Sequence, residues 1–475
     1  MGKVFYLSTA LPYVNSAPHL GFALEIVQTD VYARYQRLLN KEVFFLTGTD
    51  ENSLKNVQAA REEGISVKEF VSRNTERFFA LKKALNLSFD DFIQTTEDRH
   101  IKGAQKLWQA CRKDIYKKKY QGLYCVGCEG FYKENELIDG LCPEHKTKPE
   151  SIEEENYFFK LTKSSKTIQE LIENDKLRII PESRKNEVLS FIKLGLEDIC
   201  ISRSAGRAQG WGIPVPNDPS QIIWVWFDAL SNYINALGYA EDGRKFEKWW
   251  QNNENILHFI GKGILRFHAV YWPAMLISAG LNLPKIIFVH GYLAFGGQKM
   301  SKSLGNTADP FKIVEEYGTD AVRYFLLAEF SAVEDGDFTL GKIKNRYNSD
   351  LANGLGNFTS RVLTLQSQCP EIGFQKADKG INEKIQETKQ MVIQKLEAFK
   401  FNESLAGIWD LIAFGDKYIN QTEVWKIQNP NIKCQIILNL KTILDNIAIM
   451  LQPFLPETSA KISRLKKGEI LFPRL

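Results

Sequence analysis

The tightest constraint on this chain is a hydrophobic period that switches twice within its first fifty or so residues. Val4 to Thr9 is a short apolar run ending in a proline-containing turn, consistent with a buried strand. From His19 to Asn40 the period lengthens: Leu20, Leu24, Val27, Val31, Tyr35 and Leu38 recur at threes and fours, one face of a helix. Glu42 to Thr47 returns to strand character, and helical patterns then continue to about Leu85. Strand, helix and strand with apolar runs mark a parallel α/β sheet. A second region of this kind spans Ile222 to His290, with strands expected at "IIWVWF", "ILHFIG" and "KIIFVHG". The stretch between them, about Tyr116 to Pro216, differs in character and carries four closely placed metal-ligand side chains. After Asp309 the pattern is helical to the end. Leu351, Leu355, Phe358, Val362 and Leu365 alternate steps of four and three, as do Ile436, Leu440, Ile443, Ile447 and Leu451 before Pro453 and Pro456. The expected layout is a split parallel α/β domain, an inserted module and a helical bundle.

Composition narrows the class without naming it. At 475 residues the chain exceeds one ordinary core. Lys+Arg 61 against Asp+Glu 57 leaves a net charge of +4, which neither demands nor excludes a nucleic-acid partner. Strongly apolar segments such as Ala269 to Gly280 fall short of the roughly 20 residues that span a bilayer. The apolar N-terminus is interrupted by Pro12, Tyr13 and Asn15 with no small-residue cleavage site after it, and Tyr6 stands where a myristoylation signal needs Ser or Thr. A cytoplasmic protein without a membrane partner is expected, and a monomer, since no appended dimerisation domain follows the bundle. The seven cysteines are odd in number and widely spread, which does not read as a disulfide framework.

Two stretches carry chemistry. In "LPYVNSAPHLGF", Leu11 to Phe22, Pro18 fits a first helical position and puts His19 and Gly21 in the first turn. Outward backbone N–H groups and the helix dipole there suit a phosphate, Gly21 permits close approach, and His19 can donate to a phosphoryl oxygen. An ordinary capped helix would account for the tetrapeptide alone. In "AFGGQKMSKSLGN", Lys299 and Lys302 stand K-x-x-K behind the hinge glycines Gly296 and Gly297, with no acidic partner nearer than Asp309. If both halves share one parallel sheet, both motifs lie at strand ends and face each other across a nucleoside triphosphate.

"PHLG" together with "KMSKS" resembles the two signature motifs of class I aminoacyl-tRNA synthetases. "TALPYVNSAPHLG", "FFLTGTDE", "CVGCEGFY…GLCPEH", "WVWFDAL", "HFIGKGILRFHAVYWPAML" and "FVHGYL" are similar in order and spacing to methionyl-tRNA synthetases, over essentially the whole chain. The resemblance implies a Rossmann-like parallel-sheet catalytic domain split by a zinc-knuckle insertion, followed by an all-α anticodon-binding bundle. It divides the chain at 1–115, 116–220, 221–293, 294–345 (the KMSKS loop and stem-contact region) and 346–475. It implies catalytic roles for His19, Lys299 and Lys302, ATP binding by these with Gly21 and Ser301, and Mg2+ accompanying ATP. It also implies a methionine pocket of Leu11, Tyr13, Asp50, Trp226, Ala229, Tyr233 and His268. Physical chemistry agrees: aromatic walls suit a thioether, and an ammonium group needs a carboxylate such as Asp50. Singly, each residue is more readily core than ligand; the matched set reverses that.

Cys125-x-x-Cys128 and Cys142-x-x-His145 offer four ligands suited to one tetrahedral, structural zinc, against the alternatives of reduced bystander thiols or disulfides. Asn357 and Arg361, four apart on one helix, and Trp425 match family positions that read the CAU anticodon of tRNA(Met), the tryptophan by stacking. Three positions depart from the family pattern: Phe22 for a second histidine, "DENS" at Asp50 to Ser53 for Asp-Glu-His-Gly, and Gly263 for an aspartate. They keep open a tRNA-binding paralogue without catalysis. Leucyl, valyl and cysteinyl enzymes are the nearer rivals, but an insertion of about a hundred residues looks short for an editing domain, and these zinc ligands lie outside the amino-acid pocket.

Overall fold

The computed structural model describes residues 4–125, 130–143, 146–241, 243–295, 298–299, 308–369 and 376–475. These fall into two units: residues 1–18, 40–80 and 89–290 form one, and residues 19–39, 81–88 and 291–475 the other.

The first unit is built on a six-stranded sheet whose neighbours all pair in parallel. In chain order the strands are β1 (Val4–Thr9), β2 (Glu42–Thr49), β3 (Asp91–Gln94), β4 (Arg178–Ile180), β5 (Ile256–Gly261) and β6 (Ile286–His290), and in space they run β3-β2-β1-β5-β6-β4. β1 pairs with β2 from Val4 opposite Glu42 to Ser8 opposite Leu46, and with β5 from Tyr6 opposite Ile256 to Thr9 opposite Phe259. Every residue of β5 is buried, as are five of the six in β1, so these central strands read as apolar runs without alternation. Because the strands are parallel, the segments after Thr9, Thr49 and Gly261 all leave from the carboxyl end, where ligands bind in open α/β sheets.

Two sequence expectations change here. "IIWVWF" is not one strand: the strand Asp218–Ile223 ends early, Trp224 caps a helix, and Val225–Leu230 is helical. The edge strand β4 arises inside the stretch read as an insertion, so that stretch is tied into the main sheet. Its remainder holds a long antiparallel pair, Ile115–Cys125 with Glu150–Phe159, in register from Ile115 opposite Phe159 to Tyr124 opposite Glu150.

The second unit begins with α1 (Leu20–Leu38). After α1 the chain passes through α2 (Leu54–Glu63) and α3 (Val225–Leu230), which belong to the first, with residues 81–88 returning to the second between them. Then follow α4 (Thr319–Ala328), α5 (Asn357–Gln366), α6 (Lys379–Glu397), α7 (Phe401–Thr422) and α8 (Pro430–Leu451). The five apolar residues expected on one stripe near Leu351 are all buried, and so are the five expected along α8. α8 is also long and apolar enough to cross a membrane, which the sequence reading did not single out. Its buried residues include Ile437, Leu440, Ile443 and Leu444, which form part of the bundle core. The cysteines are likewise more structured than expected: Cys369 after α5 and Cys434 in α8 form a disulfide with Cα atoms 5.7 Å apart.

Candidate functional site

Five of the seven residues expected around methionine line one cavity in the first unit. Leu11 follows β1, Trp226 and Ala229 sit on α3, Tyr233 on the next turn, and His268 on a π-helical turn at Phe267–Tyr271. The space left between them is small, about 10 Å3. The other two are brought to each other. Tyr13 and Asp50 form a parallel bridge, and the Asp50 amide donates to the Pro12 carbonyl at 2.9 Å.

The walls are apolar surface carried on neutral polar groups. Trp226 stacks on Phe267 with centroids 3.7 Å apart and planes 5° from parallel, which leaves the tryptophan little freedom. His268 Nδ1 lies 2.9 Å from the Ile264 carbonyl, which can accept but not donate, so the hydrogen is on Nδ1. Nε2 therefore accepts from the Tyr233 hydroxyl at 2.7 Å. Burial pushes His268 down to about 4, the Ile264 bond working weakly against it, so the ring is neutral at physiological pH. His258 beneath Tyr233 is neutral for the same reason: burial holds it well below the ordinary histidine value, with His268 adding to the effect. An uncharged lining of this kind suits a thioether side chain.

Asp50 is nearly inaccessible to solvent and accepts from the Asn52 amide at 3.1 Å. Neighbouring Glu51, also buried, is held by hydroxyl and amide donors from Thr75 at 2.6 Å and Gln94 at 2.8 Å.

In the second unit His19 is the N-cap of α1, not a first-turn residue, because the helix begins at Leu20, two positions later than Pro18 would set it. Its extended backbone (φ −125°, ψ 170°) lets Nδ1 accept from the Gly21 amide at 3.0 Å. Accepting at Nδ1 leaves the hydrogen of a neutral ring on Nε2. Gly21 has a reason other than ligand approach: a Cβ there would come 2.8 Å from His19 Cε1. The Leu20 amide donates to the Ala308 carbonyl at 3.2 Å, joining the start of α1 to the chain leaving the K-x-x-K segment. Of that segment, Lys299 lies in the strand Gln298–Lys299, antiparallel to Leu293–Phe295, while Ser301 and Lys302 fall outside the described residues.

A family model described as "tRNA synthetases class I (M)" matches residues 5–148 and 144–363, and one described as "Anticodon-binding domain of tRNA ligase" matches 378–472. The chain is 40% identical to the methionine–tRNA ligase of Caldanaerobacter subterraneus over 100% of its own length and 79% of the relative's. Against that of Brucella suis it is 42% identical, covering 96% and 90%. A solved Mycobacterium tuberculosis methionyl-tRNA synthetase in complex with methionyl-adenylate superposes with a TM-score of 0.91 at 38% identity, over 98% of this chain and 94% of that one. The chain belongs to the methionine–tRNA ligases.

Within that family frame the bundle residues acquire a common setting. Asn357 is exposed on α5, and Arg361 one turn on donates to Asp416 at 2.5 Å and Asn420 at 2.6 Å, both on α7. Three residues past α7 stands Trp425, 53% exposed for a side chain that ordinarily seeks burial. Its exposure follows from Glu423, whose φ of 43° ends the helix and turns the chain so that Val424 is buried instead.

Of the four residues expected to hold zinc, Cys125 and Cys142 are described and nearly inaccessible. The Cys142 amide donates to the Thr147 carbonyl and its carbonyl accepts from Lys146, both at 2.9 Å. Cys128 and His145 fall outside the described residues. Two buried thiols with no disulfide between them fit a thiolate metal site.

Sequence reasoning missed four lining residues, Ala10, Leu230, Asn232 and Ile264. Asn232 had a usable signal, lying three residues past Ala229 on the turn that also carries Tyr233. Its buried Oδ1 has no hydrogen-bond partner among the described residues.

Proposed function

We infer that this chain activates methionine with ATP to methionyl-adenylate and then transfers the methionyl group to tRNA(Met), releasing AMP and diphosphate. The observation that carries the reading is the convergence of Leu11, Trp226, Ala229, Tyr233 and His268 on one neutral, aromatic-walled cavity. Asp50 receives the ammonium group and Tyr13 flanks it. The mycobacterial structure's methionyl-adenylate is the product of the first step in this scheme.

In that step a methionine carboxylate oxygen attacks the α-phosphorus in line, the bond to the bridging oxygen breaks, and pyrophosphate leaves. The protein supplies positioning and charge stabilisation. His19 offers an Nε2 hydrogen, its ring held by the bond to the Gly21 amide. Lys299 and Lys302, with Ser301, act on the phosphates, and Mg2+ bound with ATP would neutralise the leaving group. In the second step the terminal adenosine 2′-hydroxyl of tRNA takes the methionyl group. Asn357, Arg361 and Trp425 read the anticodon, the work being divided along the chain at 1–115, 116–220, 221–293, 294–345 and 346–475. One zinc on Cys125, Cys128, Cys142 and His145 would close the knuckle of the insertion, with all four positions taken by protein. Methionine-dependent ATP–pyrophosphate exchange and charging of tRNA(Met) test the reading together. Exchange absent with methionine, or restored by leucine, valine or cysteine, ends it.

A further inference from the structure

In the loop that follows β2, asparagine stands at residue 52, where the resemblance to the family implies histidine. Asn52 makes three hydrogen bonds that join two walls of the amino-acid site. Its backbone amide donates to Asp50 Oδ1 at 3.1 Å, and its Nδ2 donates to the Thr95 carbonyl at 3.0 Å and to Asp228 Oδ2 at 2.8 Å. Both side-chain partners are acceptors, so the amide orientation is fixed by chemistry. Asp228 is wholly buried on α3, next to Ala229 and two residues from Trp226, which line the cavity. Its other oxygen lies 2.5 Å from His100 Nε2, and the Asn235 amide stands at 3.3 Å from His100 Nδ1. With Nδ1 facing a donor, Nε2 carries the hydrogen, so each carboxylate oxygen has one donor. The loop is pinned from its other side too, since the Glu51 amide donates to Thr95 Oγ1 at 2.8 Å and Asn56 Nδ2 to the Asp50 carbonyl at 3.1 Å.

We propose that Asn52 is a positioning residue for methionine, fixing the Asp50 carboxylate against α3 so that the ammonium anchor and the side-chain wall keep one spacing. The proposal rests on the reading of Asp50 as the ammonium acceptor. An α-amino acid bound at both its ammonium and its thioether gains from two contacts at once only if their separation is set beforehand. Asn52 sets it by bonding both sides. A histidine at this position has at most two ring donors, on opposite sides of the ring, and could not repeat the fork that one amide nitrogen makes to Thr95 and Asp228.

The test compares methionine with 4-(methylthio)butanoate, the same acid without its amino group, as competitors in exchange or ligands in calorimetry. The ratio of their affinities reads the ammonium contact alone. Asn52→Ala and Asn52→Ser are expected to lower that ratio at least fivefold while the deamino acid binds within about twofold of wild type. Asp228→Asn, which keeps side-chain volume but replaces one acceptor oxygen by a donor, should lower it in the same direction and guards against a truncation that does not fold. Asp50→Asn is the control and should collapse the ratio. If it does and the Asn52 variants keep theirs, the inference falls while the Asp50 reading stands. If Asp50→Asn also keeps the ratio, the Asp50 reading is wrong and takes the inference with it. Equal weakening of both ligands by Asn52→Ala would make Asn52 a general support of the pocket and overturn the proposal.

Discussion

Arg323 and Asp30 form an ion pair closed off from water: Nη1 lies 2.8 Å from Oδ2, and neither side chain exposes surface. Burial alone would raise the Asp30 carboxyl, but Arg323 and Arg34 outweigh it and hold it below the usual range. The remaining donors of Arg323 go to the carbonyls of Leu85, Pro453 and Phe454 at 2.8–3.0 Å. One side chain thus joins α1, the 81–88 segment, α4 and the turn after α8. Arg323→Met leaves a buried carboxylate and three carbonyls short of donors, and is expected to cost about 3–5 kcal/mol in chemical denaturation. A loss below 1 kcal/mol would show that the junction relaxes around the change.

Gly21→Ala should slow the phosphate chemistry assigned to His19 while leaving methionine binding alone. The added methyl meets the His19 ring and displaces the cap, worth about 0.5–2 kcal/mol to the helix. Adenylate formation should slow at least tenfold, with methionine affinity measured without ATP unchanged. Normal exchange in this variant would remove His19 from the mechanism.

His268 gives a pH dependence with a definite sign. Its folded value of about 4 lies below the ordinary histidine value of about 6.5, so over that interval the unfolded chain binds the extra proton. Its contribution is complete above pH 6.5 and is lost as pH falls toward 4, roughly 3 kcal/mol in all. His268→Gln cannot titrate, so its unfolding midpoint should fall less than wild type between pH 7 and 4.5. Parallel losses would contradict the assignment.

Trp425→Ala should impair tRNA charging while sparing exchange. Stacking on an unpaired base is worth ~1–3 kcal/mol, or about ten- to hundredfold in recognition. The side chain is already half in solvent, so removing it should leave thermal stability nearly unchanged. A matched drop in charging, exchange and stability would instead assign it to packing.

Much of this could be read from residues, for reasons that vary by element. β1, β5 and β6 were legible because buried parallel strands are mostly apolar and glycine or proline follows closely. Val225–Leu230 was not, because aromatic and β-branched residues favour strands and this helix is buried on nearly every side, which erases the 3.6-residue period. β4 is three residues long, too short to show a period. The cavity's aromatic wall was found through matched motifs. The Asn52–Asp228 bond joins positions 176 residues apart, and no local pattern marks it.

The stitching of β4 into the main sheet bears on how this protein could be rebuilt. Residues 116–220 look in the linear chain like a cassette that could be cut out or exchanged. Cutting there would strip Arg178–Ile180 from β6 and leave the backbone groups of Ile286, Ile287 and Phe288 as a raw, apolar edge ready to pair with another molecule. A minimal version has to splice within the antiparallel arm instead, upstream of Leu161, and keep everything from there to β5.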